Sequence, residues 1–324
     1  MPCIFVTRDK WPPAMYEKLK EVGEVEVYPY GRSPWSTQGV PKEVLIEAAR
    51  RCEALVVFIG DLVDREVLDA GNRLKIVSTA SVGVDHIDVE YAKKRGVVVA
   101  HTPYVLVDAV ADLAVGLLLA LARKIVVGDK LIRAGQAEEV WGSLMGVDIK
   151  GKRAGIVGLG AIGSAVARRL SAFGAEVVYW SRRRKPEAEF ALGIKYVELD
   201  ELLATSDFVF VTMALAPETR GFFNRDRIFK MKRGAYLINV ARGGLVDTEA
   251  LVEALESGHL GGAALDVFDV EPLPPGHKLT RLDNVVLTPH IGSATVETRA
   301  KMAELAAENV VRFFKEGRPL YAVS

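Results

Sequence analysis

Short apolar runs alternate with amphipathic segments along the first hundred residues. Five strands are predicted there, from the runs CIFVTR, EVEVYPY, ALVVFIG, LKIVSTAS and VVVAHTP. Between the first strands, PAMYEKLKEVG and KEVLIEAARRC carry the apolar spacing of amphipathic helices, and Gly23 closes the first of them. Apolar strands that are separated by helices are typical of a parallel sheet covered on both faces.

A second set of strands and helices begins after residue 150. Its predicted strands are AGIVG, EVVYWS, FVFVTMA, AYLINVA, AALDVF and VVLTPH, and a last helix is predicted from about Ala294 to Lys315, ending at Gly317. The predicted fold class is α/β, with two doubly wound parallel-sheet (Rossmann-like) domains and an interdomain cleft. We predict a flavodoxin-like substrate domain over residues 1–100 and 290–324, and a dinucleotide-binding Rossmann domain over residues 101–289.

One long, nearly all-apolar helix is predicted from about Asp108 to Arg133, within the dinucleotide-binding domain. A helix that is apolar on most sides must be buried on most sides, which suggests a subunit interface. Its most apolar run, LAVGLLLALA, has ten residues. That is about half of what a membrane span needs, so we expect no membrane partner.

Composition narrows the function classes. The chain has 324 residues, a length typical of about two domains. Lys+Arg and Asp+Glu balance at 42 each, which argues against nucleic acid as a partner. Only Cys3 and Cys52 are present, too few for a disulfide framework or a closed zinc site, and the start MPCIFVTRDK has no signal-peptide pattern. We therefore expect a cytoplasmic protein without a metal site, and its scarcity of Gln and Asn favours a thermophilic source.

A glycine pattern opens the second set of strands. Gly158, Gly160 and Gly163 form GxGxxG between the strand AGIVG and the helix AIGSAVARRLSAFG. The first glycine allows a tight turn, the second lets a pyrophosphate approach the backbone, and the third lets helix and strand pack closely. The helix N-terminus offers free N–H groups and a positive dipole end to the phosphates. The pattern indicates a dinucleotide site, and the simpler alternative is a strand–turn–helix with convenient glycines.

Cations follow the next strand, where an acid commonly holds the ribose of NAD. Ser181 stands there, followed by Arg182, Arg183, Arg184 and Lys185. Guanidinium groups pair with phosphate through two hydrogen bonds, and no carboxylate is present to repel a 2′-phosphate. We therefore predict that NADPH is preferred and that NADH is possible, with Arg182 and Arg183 as the main contacts. Arg184 and Lys185 are expected in solvent, because Pro186 turns the chain away. The alternative is that the whole turn is a solvated basic surface.

Three stretches near the C-terminus carry candidate chemistry. They are LINVARGGLVD with Arg242, ALDVFDVEPLP with Glu271 and VVLTPHIGSAT with His290. Each side chain follows a strand, and in open parallel sheets ligands bind beyond the carboxyl ends of strands. Reduction of a 2-keto acid needs a carboxylate partner and a proton donor. Arg242 suits the first role and His290 the second, and Glu271 could stabilise the imidazolium form of His290.

The ordered motifs TASVGVDHID, GLGAIG, NVARGGLVD, AALDVFDVEP and NVVLTPHIGSAT resemble those of the D-isomer-specific 2-hydroxyacid dehydrogenases. The resemblance covers nearly the whole chain. It implies that Arg242, Glu271 and His290 are the catalytic residues, and that Ser81, Val82 and Gly83 bind substrate together with Arg242 and His290. It also implies a homodimer built on the long helix after Asp108, and Trp141 is a candidate to reach a neighbouring active site.

The cofactor-binding residues that we predict are Gly158, Leu159, Gly160, Ala161, Ile162, Gly163, Ser181, Arg182, Arg183, Thr219, Val240, Asp266 and Gly292. Within the family, the basic SRRRK is similar to glyoxylate/hydroxypyruvate reductases, so we expect NAD(P)H-dependent reduction of glyoxylate and hydroxypyruvate. Many relatives carry proline where this chain has Ala214. Since the sequence ends at Ser324, we expect no C-terminal regulatory domain of the kind found on many phosphoglycerate dehydrogenases, which disfavours that alternative without excluding it. The alternatives are a D-lactate-type or D-3-phosphoglycerate dehydrogenase and, from another class, a dinucleotide-sensing corepressor.

Overall fold

The structure, a computed structural model, describes residues 1–136 and 144–323. The chain forms two compact units, one made of Met1–Leu106 with Ser293–Ser324 and the other of Val107–Gly292. Each unit has its own parallel sheet with helices, which confirms the α/β fold class.

The first unit contains a five-stranded parallel sheet with the strand order β2-β1-β3-β4-β5. Its strands are β1 (Cys3–Val6), β2 (Glu24–Val27), β3 (Ala54–Val57), β4 (Ile76–Thr79) and β5 (Val98–Ala100). Its helices are α1 (Pro13–Lys20), α2 (Lys42–Arg51), α3 (Arg65–Ala70), α4 (Val89–Lys94) and, from the chain's end, α12 (Val296–Glu316). The central strands β3 and β4 are buried along their whole length, as expected for a sheet covered on both faces.

The second unit contains a seven-stranded parallel sheet with the strand order β12-β11-β10-β9-β6-β7-β8. Its strands are β6 (Arg153–Val157), β7 (Glu176–Trp180), β8 (Lys195–Tyr196), β9 (Phe208–Val211), β10 (Tyr236–Asn239), β11 (Gly262–Leu265) and β12 (Val285–Leu287). Its helices are α5 (Val107–Ala122), α6 (Ile125–Arg133), α7 (Ala161–Ala172), α8 (Pro186–Leu192), α9 (Leu199–Thr205), α10 (Arg225–Lys230) and α11 (Thr248–Glu256). The order reverses at β6 and β9, a crevice position at which doubly wound sheets bind nucleotides.

The prediction of one long helix from Asp108 to Arg133 was wrong. Two helices, α5 and α6, occupy that stretch, and Lys124 between them has a left-handed backbone with φ of 52°. An α-helix cannot pass through a residue in that conformation, so the chain starts a new helix at Ile125. The apolar pattern continues across the break, which is why the sequence did not reveal it.

Two further features were not predicted from the sequence. The short edge strand β8 has only two residues and therefore no periodic pattern. Cys3 and Cys52 are joined by a disulfide, which links β1 to the residue that follows α2. Among the helices of the described residues, none is both long and apolar enough to cross a membrane.

Candidate active site

His290 and Glu271 form the central contact of the candidate site. The imidazole Nδ1 of His290 lies 2.6 Å from Glu271 Oε2. The other carboxylate oxygen of Glu271 accepts the backbone N–H of Phe268 at 3.0 Å. Both side chains are mostly buried, with 15% of His290 and 19% of Glu271 exposed. Because Nδ1 is engaged with Glu271, Nε2 is the ring nitrogen that can exchange a proton with a ligand.

Asp266 organises the loop that carries His290. Its carboxylate accepts hydrogen bonds from the Thr288 hydroxyl at 2.6 Å and from the backbone N–H groups of Ile291 and Gly292, both at 2.8 Å. Its carbonyl oxygen accepts the N–H of His290 at 2.8 Å. His290 itself has φ of 57°, a left-handed conformation that costs energy for a residue with a side chain. Burial raises the pKa of the Asp266 carboxyl, and the three donated hydrogen bonds and nearby His290 oppose that rise.

Arg242 lies in the turn after β10. The buried Asn239 at the end of this strand shapes the turn: its amide donates to the carbonyl of Arg242 at 2.9 Å and accepts the N–H of Ala241 at 3.0 Å. The Arg242 guanidinium also donates to the carbonyl of Ala241 at 2.9 Å. Gly243 packs so closely that a Cβ there would lie 1.9 Å from the backbone carbon of Phe268. The turn of Arg242 thus packs against the loop that leads to Glu271.

The strands behind these side chains are neighbours. β10, β11 and β12 pair in parallel in that order, so their carboxyl ends meet at one edge of the sheet. Arg242, Glu271 and His290 follow these three strands in turn. The structure therefore brings Glu271 into direct contact with His290 and places Arg242 in a turn at the same edge.

The glycine loop has the shape of a phosphate cradle. Gly158 has φ of 106°, and a Cβ there would lie 2.6 Å from the backbone nitrogen of Met213. A Cβ at Gly163 would lie 2.4 Å from the carbonyl oxygen of Gly158, so helix α7 packs tightly on the loop. A Cβ at Gly160 would meet no atom within 4 Å, which leaves that backbone open to a ligand. Tight packing at two glycines and open space at the third fit a bound pyrophosphate.

The residues after β7 differ in what they contact. The Ser181 hydroxyl donates to the carbonyl of Arg183 at 2.7 Å, which folds the chain into a turn. Arg182 and Arg183 are exposed, and no ion pair is present for either within residues 1–136 and 144–323. Their charges are therefore available to an anionic ligand at the end of β7.

Arg184 and Lys185 are exposed, in agreement with the expectation that they are solvated, but both also have partners within the chain. Arg184 makes two hydrogen bonds of 2.8 Å to the carboxylate of Glu189, and the ammonium group of Lys185 donates to the carbonyl of Leu159 in the glycine loop. Pro186 does not turn the chain away, because it begins helix α8. Glu189 lies one turn into that helix, and its side chain therefore lies next to Arg184.

The other predicted cofactor residues have defined structural contacts. Thr219 is buried, and its hydroxyl donates to the carbonyl of Ala214 at 2.9 Å and accepts the N–H of Ala216 at 2.7 Å. It therefore holds the loop that contains Ala214. Val240 is buried directly after β10, and the N–H of Gly292 is bound by Asp266. Leu159, Ala161 and Ile162 belong to the glycine loop and the start of α7.

In the first unit, the segment of Ser81, Val82 and Gly83 follows β4. The Ser81 hydroxyl donates to the carbonyl of Gly83 at 2.7 Å, and the Nδ1 of His101 lies 3.0 Å from the carbonyl of Val82. In the part of the chain that the structure describes, the N–H groups of Val82, Gly83 and Val84 have no acceptor. Consecutive free N–H groups of this kind can bind an anion such as a carboxylate.

Sequence reasoning missed the side chains that shape this segment. Thr79 contacts both Ser81, at 2.7 Å between hydroxyl oxygens, and the Nε2 of His86, at 3.0 Å. His86 and His101 stand in the quoted stretches TASVGVDHID and VVVAHTP. Their positions after strands were the only available signal, and their hydrogen bonds depend on the folded chain.

Comparison with known proteins identifies the family. Residues 115–292, more than half of the chain, match the family described as "D-isomer specific 2-hydroxyacid dehydrogenase, NAD binding domain". The chain belongs to this family of dehydrogenases. This confirms the resemblance found in the sequence, and the matched residues include the glycine loop, Arg242, Glu271 and His290.

Several proteins are similar to this 2-hydroxyacid dehydrogenase along nearly its whole length. A glyoxylate reductase from Thermofilum pendens is 48% identical over 98% of this chain and 93% of its own. The crystal structure of the TT0316 protein from Thermus thermophilus is 47% identical, with a TM-score of 0.89 over 99% of this chain and 100% of that one. An NADPH-dependent glyoxylate/hydroxypyruvate reductase from Sinorhizobium meliloti, in complex with NADP and malonate, is 34% identical, with a TM-score of 0.86 over 100% of this chain and 97% of its own.

Proposed function

We propose that this dehydrogenase reduces glyoxylate and hydroxypyruvate to the corresponding 2-hydroxy acids, with NADPH as the preferred cofactor. The observation that carries the proposal is the 2.6 Å contact between His290 and Glu271 at the carboxyl edge of a nucleotide-binding sheet. A histidine that is held through Nδ1 by a carboxylate presents Nε2 as an acid, and reduction of a keto group requires a proton at the new alkoxide oxygen.

His290 donates that proton from Nε2. The negative charge of Glu271 stabilises the imidazolium form that exists before the transfer, and the N–H of Phe268 keeps the carboxylate in place. Arg242 binds the substrate carboxylate through its planar guanidinium and polarises the keto group. We assign the unit made of Met1–Leu106 with Ser293–Ser324 as the substrate domain, in which the free N–H groups of Val82 and Gly83 can bind a carboxylate.

The bound nicotinamide dinucleotide supplies the hydride. The open backbone at Gly160 and the start of α7 hold its pyrophosphate. Arg182 and Arg183 hold the 2′-phosphate that distinguishes NADPH from NADH, and the absence of an acid at Ser181 removes the usual repulsion. NADH enters the same site and loses only the phosphate contacts. The name of the Sinorhizobium relative, an NADPH-dependent reductase, supports this preference.

The names of the relatives also support small keto acids as substrates. The Thermofilum relative is a glyoxylate reductase, and the Sinorhizobium relative is a glyoxylate/hydroxypyruvate reductase. The proposal includes a cytoplasmic location, where reduced nicotinamide cofactors are regenerated for use by reductases.

We propose in addition that the enzyme is a homodimer. Helix α6 exposes Ile125 and Ile132, of which 56% and 67% of the surface is accessible in the single chain. These apolar side chains directly follow the apolar helix α5, so a second copy would cover them. Trp141, the candidate to reach a neighbouring active site, lies outside the described residues. Sedimentation at micromolar protein is expected to give about twice the monomer mass of 35.3 kDa, and a single 35.3 kDa species would refute the dimer.

A panel of steady-state rates tests the proposed activity. Each of four keto acids is reduced with NADPH and with NADH, and cofactor oxidation is followed over a range of substrate concentrations. The keto acids are glyoxylate, hydroxypyruvate, pyruvate and 3-phosphohydroxypyruvate. We expect the highest kcat/KM with glyoxylate or hydroxypyruvate and NADPH. Preference for pyruvate or for the phosphorylated substrate would favour a D-lactate-type or phosphoglycerate enzyme. Cofactor binding without turnover of any substrate would favour a dinucleotide sensor.

A further inference from the structure

The hydroxyl group of Tyr179 links helix α8 to the end of the basic segment after β7, which comprises residues 181–185. Tyr179 is fully buried within β7. Its hydroxyl donates to Glu189 Oε1 at 2.7 Å and accepts the backbone N–H of Lys185 at 2.7 Å. One oxygen atom from the sheet thus holds both the end of the basic segment and a side chain of helix α8.

Glu189 in turn holds Arg184. The guanidinium nitrogens Nε and Nη2 of Arg184 each lie 2.8 Å from a different carboxylate oxygen of Glu189, in a two-bond planar pairing. The hydrogen bonds from Arg184 and Tyr179 lower the pKa of Glu189 to about 2, so the carboxylate is charged at neutral pH. The guanidinium also lies 6.0 Å from the ring centre of Tyr196. Arg184 is therefore bound to α8 through Glu189.

The same contacts determine where Lys185 lies. Its backbone N–H is fixed by Tyr179, and its ammonium group reaches the carbonyl of Leu159 in the glycine loop. At the other end of the segment, the carbonyl of Trp180 accepts the N–H of Gly158 at 2.9 Å. The basic segment is therefore attached to the glycine loop at both ends. Its conformation is set before a ligand binds.

We propose that Tyr179 and Glu189 are positioning residues for cofactor selection. Glu189 keeps Arg184 on α8. Tyr179 places Lys185 next to the two exposed arginines, Arg182 and Arg183, as a third cation for the 2′-phosphate of the adenosine. This inference rests on the proposed NADPH preference. A segment fixed in its bound conformation loses less conformational entropy when the ligand binds, so its phosphate contacts contribute more to affinity. The ligand class is therefore a nucleotide with a phosphate on the 2′ position of its ribose. NADH lacks this 2′-phosphate, so its affinity should not depend on the position of the segment.

The chain offers a matched pair of tyrosines for the test. Tyr179→Phe removes the hydroxyl that holds the segment and leaves the ring. Tyr196→Phe removes a hydroxyl from the adjacent strand β8. The Tyr196 ring centre lies 5.5 Å from that of Tyr179, and the Tyr196 hydroxyl lies 3.4 Å from Glu198.

Binding of 2′,5′-ADP and of 5′-AMP to the whole enzyme is measured by calorimetry. We expect Tyr179→Phe to weaken 2′,5′-ADP about fivefold, roughly the effect of one hydrogen bond, and to leave 5′-AMP unchanged. Tyr196→Phe is expected to change neither.

A second pair covers the case in which loss of the buried hydroxyl impairs folding. Glu189→Gln removes the charge that holds Arg184, and Glu187→Gln removes an exposed charge from the same helix. We expect only Glu189→Gln to raise KM for NADPH, by about threefold to fivefold, with KM for NADH and both kcat values unchanged. If Glu189 had a purely structural role, Glu189→Gln would change KM for NADPH and KM for NADH to the same extent.

Three results would overturn the inference. One is that neither Tyr179→Phe nor Glu189→Gln changes the ratio of NADPH to NADH affinity. Another is that Glu187→Gln changes it as much as Glu189→Gln, which would indicate a general effect of net charge. The last is tighter binding of 2′,5′-ADP in a variant that releases Arg184 from Glu189.

The double variant Arg182→Ala/Arg183→Ala separates this inference from the proposed function. If that variant loses the NADPH preference while Tyr179→Phe keeps it, only the positioning role fails. If the wild type has no preference, both fail.

Discussion

The Nδ1 atom of His290 lies 2.6 Å from Oε2 of Glu271, so Nε2 is the ring nitrogen that we propose as the proton donor. The pair is held from both sides. The backbone N–H of Phe268 binds the carboxylate, and the carbonyl of Asp266 binds the N–H of His290. An acid that is oriented before substrate binds needs little reorganisation during proton transfer.

The first prediction concerns the carboxylate of this pair. Glu271→Gln keeps the size of the side chain and removes the charge that stabilises the imidazolium form. We expect kcat for glyoxylate reduction to fall about tenfold to a hundredfold, since a charge-assisted hydrogen bond is worth about 1.5–3 kcal/mol. The measurement is kcat at saturating substrate, together with the Kd for NADPH, which should not change. Asp269→Asn is the control, because Asp269 is exposed on the same loop and accepts a hydrogen bond from Thr248. Equal losses in the two variants would refute a specific role for Glu271.

Arg242 tests whether geometry or charge binds the substrate carboxylate. We expect Arg242→Lys to lose nearly as much kcat/KM as Arg242→Ala, because lysine keeps the charge and loses the planar pair of donors. Arg225→Lys is a suitable control, since Arg225 forms an ion pair with Glu253 on the surface of the same unit. A lysine enzyme with normal kcat/KM would mean that Arg242 supplies charge alone.

The exposed arginines after β7 are expected to select the cofactor. Substitution of both Arg182 and Arg183 by alanine should raise KM for NADPH by one to two decades per arginine, because each phosphate contact is worth about 1.5–3 kcal/mol. KM for NADH should stay nearly constant. Ser181→Asp in that background adds an acid near the ribose and should invert the preference. A wild-type enzyme that favours NADH would contradict this account of the arginines.

The ion pair of Glu189 makes a prediction about stability and pH. The pKa of Glu189 is about 2 in the folded chain, below its ordinary value of 4.5. A lowered pKa means that the folded state favours the carboxylate, so this stabilisation is complete above the ordinary value and is lost as the pH falls towards 2. Glu189→Gln should therefore lower Tm at pH 6 and have a smaller effect at pH 3, measured by calorimetry. Glu187→Gln should change Tm little at either pH, and an equal change in both variants would contradict the prediction.

The strands and helices that have a periodic pattern of apolar residues could be predicted from the sequence. Buried strands such as β9 in the run FVFVTMA, and the glycine loop at Gly158, have local patterns that follow from backbone geometry. The break at Lys124 was not predictable, because apolar residues continue on both sides and only the left-handed backbone ends the helix. The two-residue strand β8 has too few residues to form a pattern.

The candidate site was predictable to a similar extent. Arg242, Glu271 and His290 could be assigned to one sheet edge, because each follows a parallel strand. The contacts of Arg184 and Lys185 could not be inferred, because they depend on the Tyr179 hydroxyl and on the helix that returns Glu189 to the same place. The hydrogen bonds of Asp266 were also outside the reach of a local pattern, since its partners lie 22 to 26 residues away.

The most direct test of the central claim compares wild type with His290→Ala in glyoxylate reduction at saturating NADPH. If His290 is the proton donor, kcat should fall by about 10²–10⁴-fold, the usual contribution of general acid catalysis, while the Kd for NADPH stays within about twofold. A His290→Ala enzyme that retains near-full kcat would contradict the account.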